Sequence, residues 1–378
     1  ISDHHIAKSV NVNVNSDVDI TGNYDAWATN NITVNADIMT SGDGSRIILL
    51  ADDDGSAFPA EGVHDGAGNL TMAAGTEIVA SQGYGDLQGE NVTLYDVTAG
   101  GNTGAENLDI RADVNNDGGD TLTINGILRG VNTTTPEEGV LIDAHQGAVV
   151  INADPNNTLG GFEIDATAGT LALNADLTAA NDVDLDADQA VTVGTDALIS
   201  ADLGGAGNDV ILGAALNSDA ADENDLVIST GSGAITAQAI GTGTAFNRVT
   251  MATTGTTTLN AGITAENDVD LSAASDVDLA TGAIALTSDS GDIYLNGGSV
   301  AGARNLTITA TQGDVYLDTI GNDLTALSVA AAGTAYLDGD IQVAAGGIDM
   351  DSARNIALQD DITLTSNGTA IDLGSTDD

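Results

Sequence analysis

The chain has no cysteine, 3 prolines, 7 lysines and arginines together, and only 3% aromatic residues. Each shortage excludes something. Without cysteine there is no disulfide and no thiolate to act as nucleophile or ligand. So few prolines suit a chain that lies mostly in hydrogen-bonded ladders, where proline cannot donate. Scarce aromatics argue against the wide core of a large globular domain and for a narrow lumen filled by Val, Ile, Leu and Ala. The 7 basic residues face 57 acidic ones, for a formal net charge of −50. No basic patch can be assembled from them, which excludes nucleic acid and an anionic membrane surface as partners. No apolar run reaches about 18 residues, so no membrane insertion is expected. No signal peptide or lipidation motif is legible. Because the first residue is Ile1, a processed product or a piece of something longer is expected. High net charge favours disorder, but apolar alternation along the chain and a mean hydropathy of +0.06 argue against it.

What is present is a repeat. Gly291-Asp292-Ile293-Tyr294-Leu295 recurs as Gly313-Asp314-Val315-Tyr316-Leu317, 22 residues on (313 − 291), and as Gly333-Thr334-Ala335-Tyr336-Leu337, 20 further (333 − 313). A period between about 20 and 50 residues is the mark of a solenoid. Within each period apolar and polar residues alternate, as at Leu306, Ile308, Ala310 and at Val315, Leu317. That is strand periodicity. The expected fold is all-β, a single-stranded parallel β-helix of about 18 coils of about 21 residues, with three short strands per coil. A third, shorter apolar site follows the second strand at Leu177, Leu198, Ile240, Ile263, Ile284, Val300, Ile320 and Ile341. Residues 1–139 read as irregular coils with loop inserts, the most obvious being Asp52–Gly68 with His64. Residues 140–378 read as regular repeats continuous with the first part.

Coils such as 303–319 (ARNLTITATQGDVYLDT) and 265–281 (AENDVDLSAASDVDLAT) resemble the haemagglutination repeats of filamentous-haemagglutinin-type surface exoproteins and adhesins. The resemblance covers most of 140–378 and, more weakly, 1–140. It implies a right-handed β-helix shaft of an extracellular, cell-surface filament or adhesin. It carries no receptor signature, and the family's Asn-Pro-Asn secretion motifs are absent, Asp154-Pro155-Asn156-Asn157 being only an echo of them.

Stacked coils turn a periodic residue into a column. Asn152, Asn174, Asn260, Asn296, Asp318 and Asp338 each follow the second inward residue of a strand, a place for side-chain ladders along the stack or for cation or glycan contacts. Tyr294, Tyr316 and Tyr336 form an outward aromatic column, read either as a stabilising ladder or as a strip that grips sugar rings or a neighbouring molecule. Outward carboxylates Asp182, Asp184, Asp186 and Asp188, with Asp268 and Asp270, read either as a solvated acidic surface or as Ca²⁺ ligands. Asp209 lies in 204–212 (GGAGNDVIL), a single match to the Gly-rich calcium-binding nonapeptide. No cofactor is required.

Catalytic patterns are wanting. Arg46, Arg111, Arg129, Arg248, Arg304 and Arg354 are scattered singly, and the histidines show no metalloprotease spacing. A non-enzymatic structural role is therefore expected. The two ends differ in charge, with His4, His5 and Lys8 at one and Asp377 and Asp378 at the other, and no cap is legible. Either the chain is cut from a longer rod, or copies meet head to tail as a homopolymer through their exposed strand edges. The alternatives are an adhesin domain that binds surface glycans or matrix, and, more remotely, a polysaccharide-active enzyme.

Overall fold

The structure is a computed structural model that describes residues 3–51, 68–100, 108–113, 119–130, 139–166, 169–202, 207–221, 223–321, 323–367 and 369–374. Among them there is no helix. The chain is an all-β parallel β-solenoid of about 14 turns, fewer than the 18 coils expected. It divides into two compact units, one of Ile1–Val191 with Ser200–Gly205, the other of Thr192–Ile199 with Ala206–Asp378. The change from irregular to regular repeats at 139/140 falls inside the first unit.

In the first unit the strands Val12–Val14, Ile32–Val34, Leu70–Met72, Val92–Leu94, Thr121–Ile124, Ala148–Ile151 and Leu171–Leu173 stack in parallel. Their register runs Val12↔Ile32↔Leu70↔Val92↔Leu122↔Val149↔Leu171. From this register the successive steps are 20, 38, 22, 30, 27 and 22 residues, as differences between those partners. The three long steps take in 52–67, 101–107 with 114–118, and 131–138, all outside the described residues. A longer mean step gives fewer turns for the same chain, which accounts for the lower count. The insert with His64 therefore falls outside the described residues.

Alternation explains why these segments are strands. Ile32, Val34, Leu70, Val92, Leu94, Leu122 and Ile124 are wholly buried while Thr33, Thr71, Thr93 and Thr123 between them face out. Each Leu or Ile side chain so enclosed contributes about 2 kcal/mol of transfer free energy. The long strand Val18–Ala28 serves two ladders, pairing Val18–Thr21 with the Ile38 strand and Tyr24–Ala28 with the Arg46 strand. It turns the corner at Gly22, whose φ of 135° lies where residues with a Cβ seldom go.

The second unit follows the same rule with tighter spacing. Leu226↔Val249↔Val269↔Ile293↔Val315↔Ala335 form one parallel column, stepping 23, 20, 24, 22 and 20 residues between partners. Val210↔Ile235↔Thr257↔Val277↔Val300 form another, extended by the bridges Val300↔Ile320 and Ile320↔Ile341. The short apolar site expected as one column is two: Ile240 continues through Ile263 to Leu286, apart from the Val300–Ile320–Ile341 line. Identical spacing conceals this, because a solenoid repeats every one of its faces with the same period.

Candidate functional site

Where a chain enters a strand, its first N–H can point at a neighbouring turn that offers no carbonyl there. An Asp or Asn side chain from that turn supplies the acceptor. This arrangement recurs in both units. In the first, Asp37 Oδ1 accepts from Glu77 N at 2.9 Å, Asp96 Oδ1 from Ile127 N at 2.9 Å, and Asp154 Oδ1 from Thr178 N at 3.0 Å. In the second, Asp268 accepts from Asp292 N at 3.0 Å, Asp292 from Asp314 N at 2.7 Å, and Asp314 from Thr334 N at 2.6 Å. Hydrogen bonds to a charged partner are worth about 1.5 kcal/mol or more each.

The glycines that open the second-unit strands at Gly291, Gly313 and Gly333 have a steric reason. A Cβ on Gly313 would lie 1.9 Å from the Gly291 carbonyl oxygen, and one on Gly333 would lie 2.0 Å from Asp314 Oδ1. The repeated Gly-Asp pair is thus a mechanical unit. The carboxylate reaches the next turn's amide, and the glycine leaves room for that turn to sit close.

This places the expected metal ligands. Asp209 Oδ1 accepts from Ala234 N at 2.6 Å, and Asp268, besides its amide contact, pairs through Oδ2 with Arg248 at 3.0 Å. Asp270 Oδ1 accepts from Ser272 N at 2.9 Å and Ser272 Oγ at 2.6 Å, within its own turn. Asp184 and Asp186 lie on the outward face of the strand Val183–Ala187, and Asp182 and Asp188 flank it. Residues 204–206 of the nonapeptide match are outside the described residues. Among the described residues, the group of carboxylates whose oxygens do converge, within 4.8 Å, is Glu90, Asp113 and Asp120, none of which the sequence singled out.

The ladder residues divide. Asn174 Nδ2 donates to Asn152 Oδ1 at 2.9 Å, and Asn152 Nδ2 donates to Asn125 Oδ1 at 3.0 Å. A second column of the first unit escaped the sequence reading: Asn31 Nδ2 donates to Asn11 Oδ1 at 3.3 Å and Asn91 Nδ2 to Asn69 Oδ1 at 3.1 Å, while Asn69 N donates to Asn31 Oδ1 at 3.1 Å. Its steps of 20, 38 and 22 residues hide it. In the second unit Asn260, Asp318 and Asp338 hold the same backbone place, donating to Ala237, Leu295 and Leu317 carbonyls. Asp318 then folds its carboxylate back onto Thr319 N, at 2.7 Å. The side chains of Asn260, Asn296 and Asp338 make no hydrogen bond with the described residues.

The tyrosines form a stack. Tyr294, Tyr316 and Tyr336 occupy equivalent positions on neighbouring strands. Their ring centroids are 4.8 Å apart at each step and the planes are tilted by 9°. The Tyr294 hydroxyl donates to Asp292 Oδ2 at 2.9 Å, and Tyr316 to Asp314 Oδ2 at 3.5 Å. Burial, then the bond to Asp292, raises the Tyr294 hydroxyl pKa above the ordinary 10.0. Burial, then the charge of Asp314, raises that of Tyr316. A groove of about 280 Å³ runs beside the stack, lined by Asn296, Tyr316, Leu317, Tyr336, Asp338 and Gln359.

Of the expected assembly residues, His4 and His5 lie in the strand Asp3–Ser9, and their side chains are outside the described residues, as are Asp377 and Asp378. Lys8 places its ammonium 5.9 Å from the Trp27 ring centroid. Arginines tie turns together: Arg46 grips buried Asp25 through Nε and Nη2 at 3.1 and 2.8 Å, and Arg304 Nη2 donates to the Ala280 carbonyl at 3.0 Å. No family model matches the sequence, and neither curated proteins nor solved structures offer a match.

Proposed function

We propose that this chain is a non-enzymatic structural protein of the extracellular cell surface, a subunit or shaft of a filament or adhesin. In this reading it is a right-handed solenoid with three strands per turn, akin to the filamentous-haemagglutinin-type repeats it resembles. The observation that carries the reading is the use made of the acidic residues. Asp37, Asp96, Asp154, Asp268, Asp292 and Asp314 each spend a carboxylate oxygen on an amide of the next turn, which joins turn to turn. Such a chain invests its polar chemistry in continuity.

Head-to-tail assembly is part of the proposal. The strands Ala353–Leu358 and Ile371–Asp372 leave Leu358 59% and Ile371 40% exposed, and Leu373 beside them is 42% exposed. A second copy docking there would cover that apolar surface and pair the open strand edge by β-augmentation. Negative-stain microscopy of the chain in calcium and high salt tests this. Filaments, lost in Leu358→Asp with Ile371→Asp, are the expected result. Monodisperse particles under every condition would remove the assembly.

A further inference from the structure

We infer that the face of the second unit carrying Tyr294, Tyr316 and Tyr336 holds a binding site for a neutral saccharide, centred on Tyr336 and Gln359. This goes beyond a structural role and does not depend on one.

Each strand of this face presents three outward positions. In chain order along successive turns they are Asp292, Tyr294, Asn296; then Asp314, Tyr316, Asp318; then Thr334, Tyr336, Asp338; then Asn355, Ala357, Gln359. The first two tyrosines are committed to the fold. Their hydroxyls go to Asp292 and Asp314, and Tyr316 is covered by a ring on both faces. Tyr336 differs in two ways. Thr334 stands where the earlier turns have aspartate, so its hydroxyl has no bond among the described residues. Ala357 stands where the next ring would be, so the stack ends and one face of Tyr336 is left without an aromatic neighbour.

The third position creates the groove. Asp318 turns its carboxylate away to Thr319, which opens the space between Asn296 and Asp338. The result is a groove of about 280 Å³ with tyrosines on one side and Asn296, Asp338 and Gln359 on the other. All three polar side chains are exposed and make no hydrogen bond with the described residues. In a chain that commits so many Asn and Asp to neighbouring turns, an unspent Asn296 and Asp338 converging with Gln359 on one groove stand out.

Chemistry selects the ligand. An open ring face suits the apolar C–H face of a pyranose, and amide and carboxylate groups suit its hydroxyls. The volume is at the lower end for small-molecule sites, that of a ring or two rather than of a folded partner. A net charge of −50 repels sulfated or uronic glycans, leaving neutral ones.

Calorimetric titration of the full chain with neutral linear hexasaccharides of glucose, mannose and N-acetylglucosamine, beside a heparin-derived hexasaccharide, tests the site. At least one neutral probe should bind at one site per chain. Tyr336→Ala should weaken it about tenfold, equivalent to about 1.4 kcal/mol, Gln359→Ala at least about threefold, and Tyr336→Phe little. Gln359 is exposed and unbonded, so its removal leaves folding intact and its binding effect interpretable, with thermal melts of every variant as the check. Absence of neutral-saccharide binding at millimolar concentration, equal binding by the Tyr336→Ala and Gln359→Ala variants, or preference for the heparin probe would overturn the proposal.

Discussion

At the scale of single residues, the acidic side chains behave as pieces of backbone. Asp292 illustrates this, with one oxygen completing the amide of Asp314 and the other holding the hydroxyl of Tyr294. The consequence is measurable by titration. Tyr294 and Tyr316 bind their protons more tightly in the folded chain than the ordinary tyrosine value of 10.0. Their contribution to stability is therefore complete below pH 10 and is lost as pH rises through the higher folded values. Absorbance of phenolate near 295 nm, followed in buffer and in urea, should show native tyrosines ionising later than unfolded ones. Coincident curves would contradict the geometry. The stack of Tyr294, Tyr316 and Tyr336 was legible in the sequence because three copies fall at near-equal spacing. The partners of its hydroxyls were not, since one aspartate among 57 acidic residues carries no mark. Glu90, Asp113 and Asp120 went unnoticed for the same reason.

At the scale of elements, the unit that repeats at Gly291, Gly313 and Gly333 is a strand with a glycine before it and an acceptor from the preceding turn. Alternation at Leu306, Ile308 and Ala310 made the strands readable, and the Gly-Asp opening made their starts readable. The separation of Ile240–Ile263–Leu286 from Val300–Ile320–Ile341 was not readable, because every face shares one period. The steric reading of the glycines yields a paired comparison. Gly313→Ala forces a Cβ against backbone at 1.9 Å, whereas Gly282, at φ +57°, has nothing within 4 Å. Gly282→Ala should cost about 1 kcal/mol, from backbone strain alone. Gly313→Ala should cost roughly 3 kcal/mol, since two turns must move apart. Urea unfolding of both variants checks the order, and equal losses would show that close approach is not what the glycine secures.

At the scale of the whole molecule, charge is the term that opposes folding. Stacked strands bring Glu163 beside Asp184 in register. Two such charges about 4.8 Å apart repel by about 0.9 kcal/mol in water of full dielectric constant, before screening. With a net charge of −50 the sum is large, and near 1 M salt the Debye length shrinks to about 3 Å. The thermal midpoint should rise by several degrees between about 20 mM and 1 M sodium chloride, followed by circular dichroism near 218 nm. A midpoint indifferent to salt would mean that the acidic columns are neutralised within the fold. Alternating strands announced the solenoid, whereas the number of turns depended on 52–67, 101–107 and 131–138, stretches that lengthen the step without strand periodicity.

The hand-over from Asp268 to Asp292 to Asp314 has a bearing on heredity. Each carboxylate serves whichever amide arrives one turn later, so duplication or loss of one complete 22-residue copy leaves every junction chemically identical. Insertion of a lone residue inside a strand instead swaps its inner and outer faces. Genes for such a chain are free to grow and shrink by whole copies while remaining intolerant of small slips.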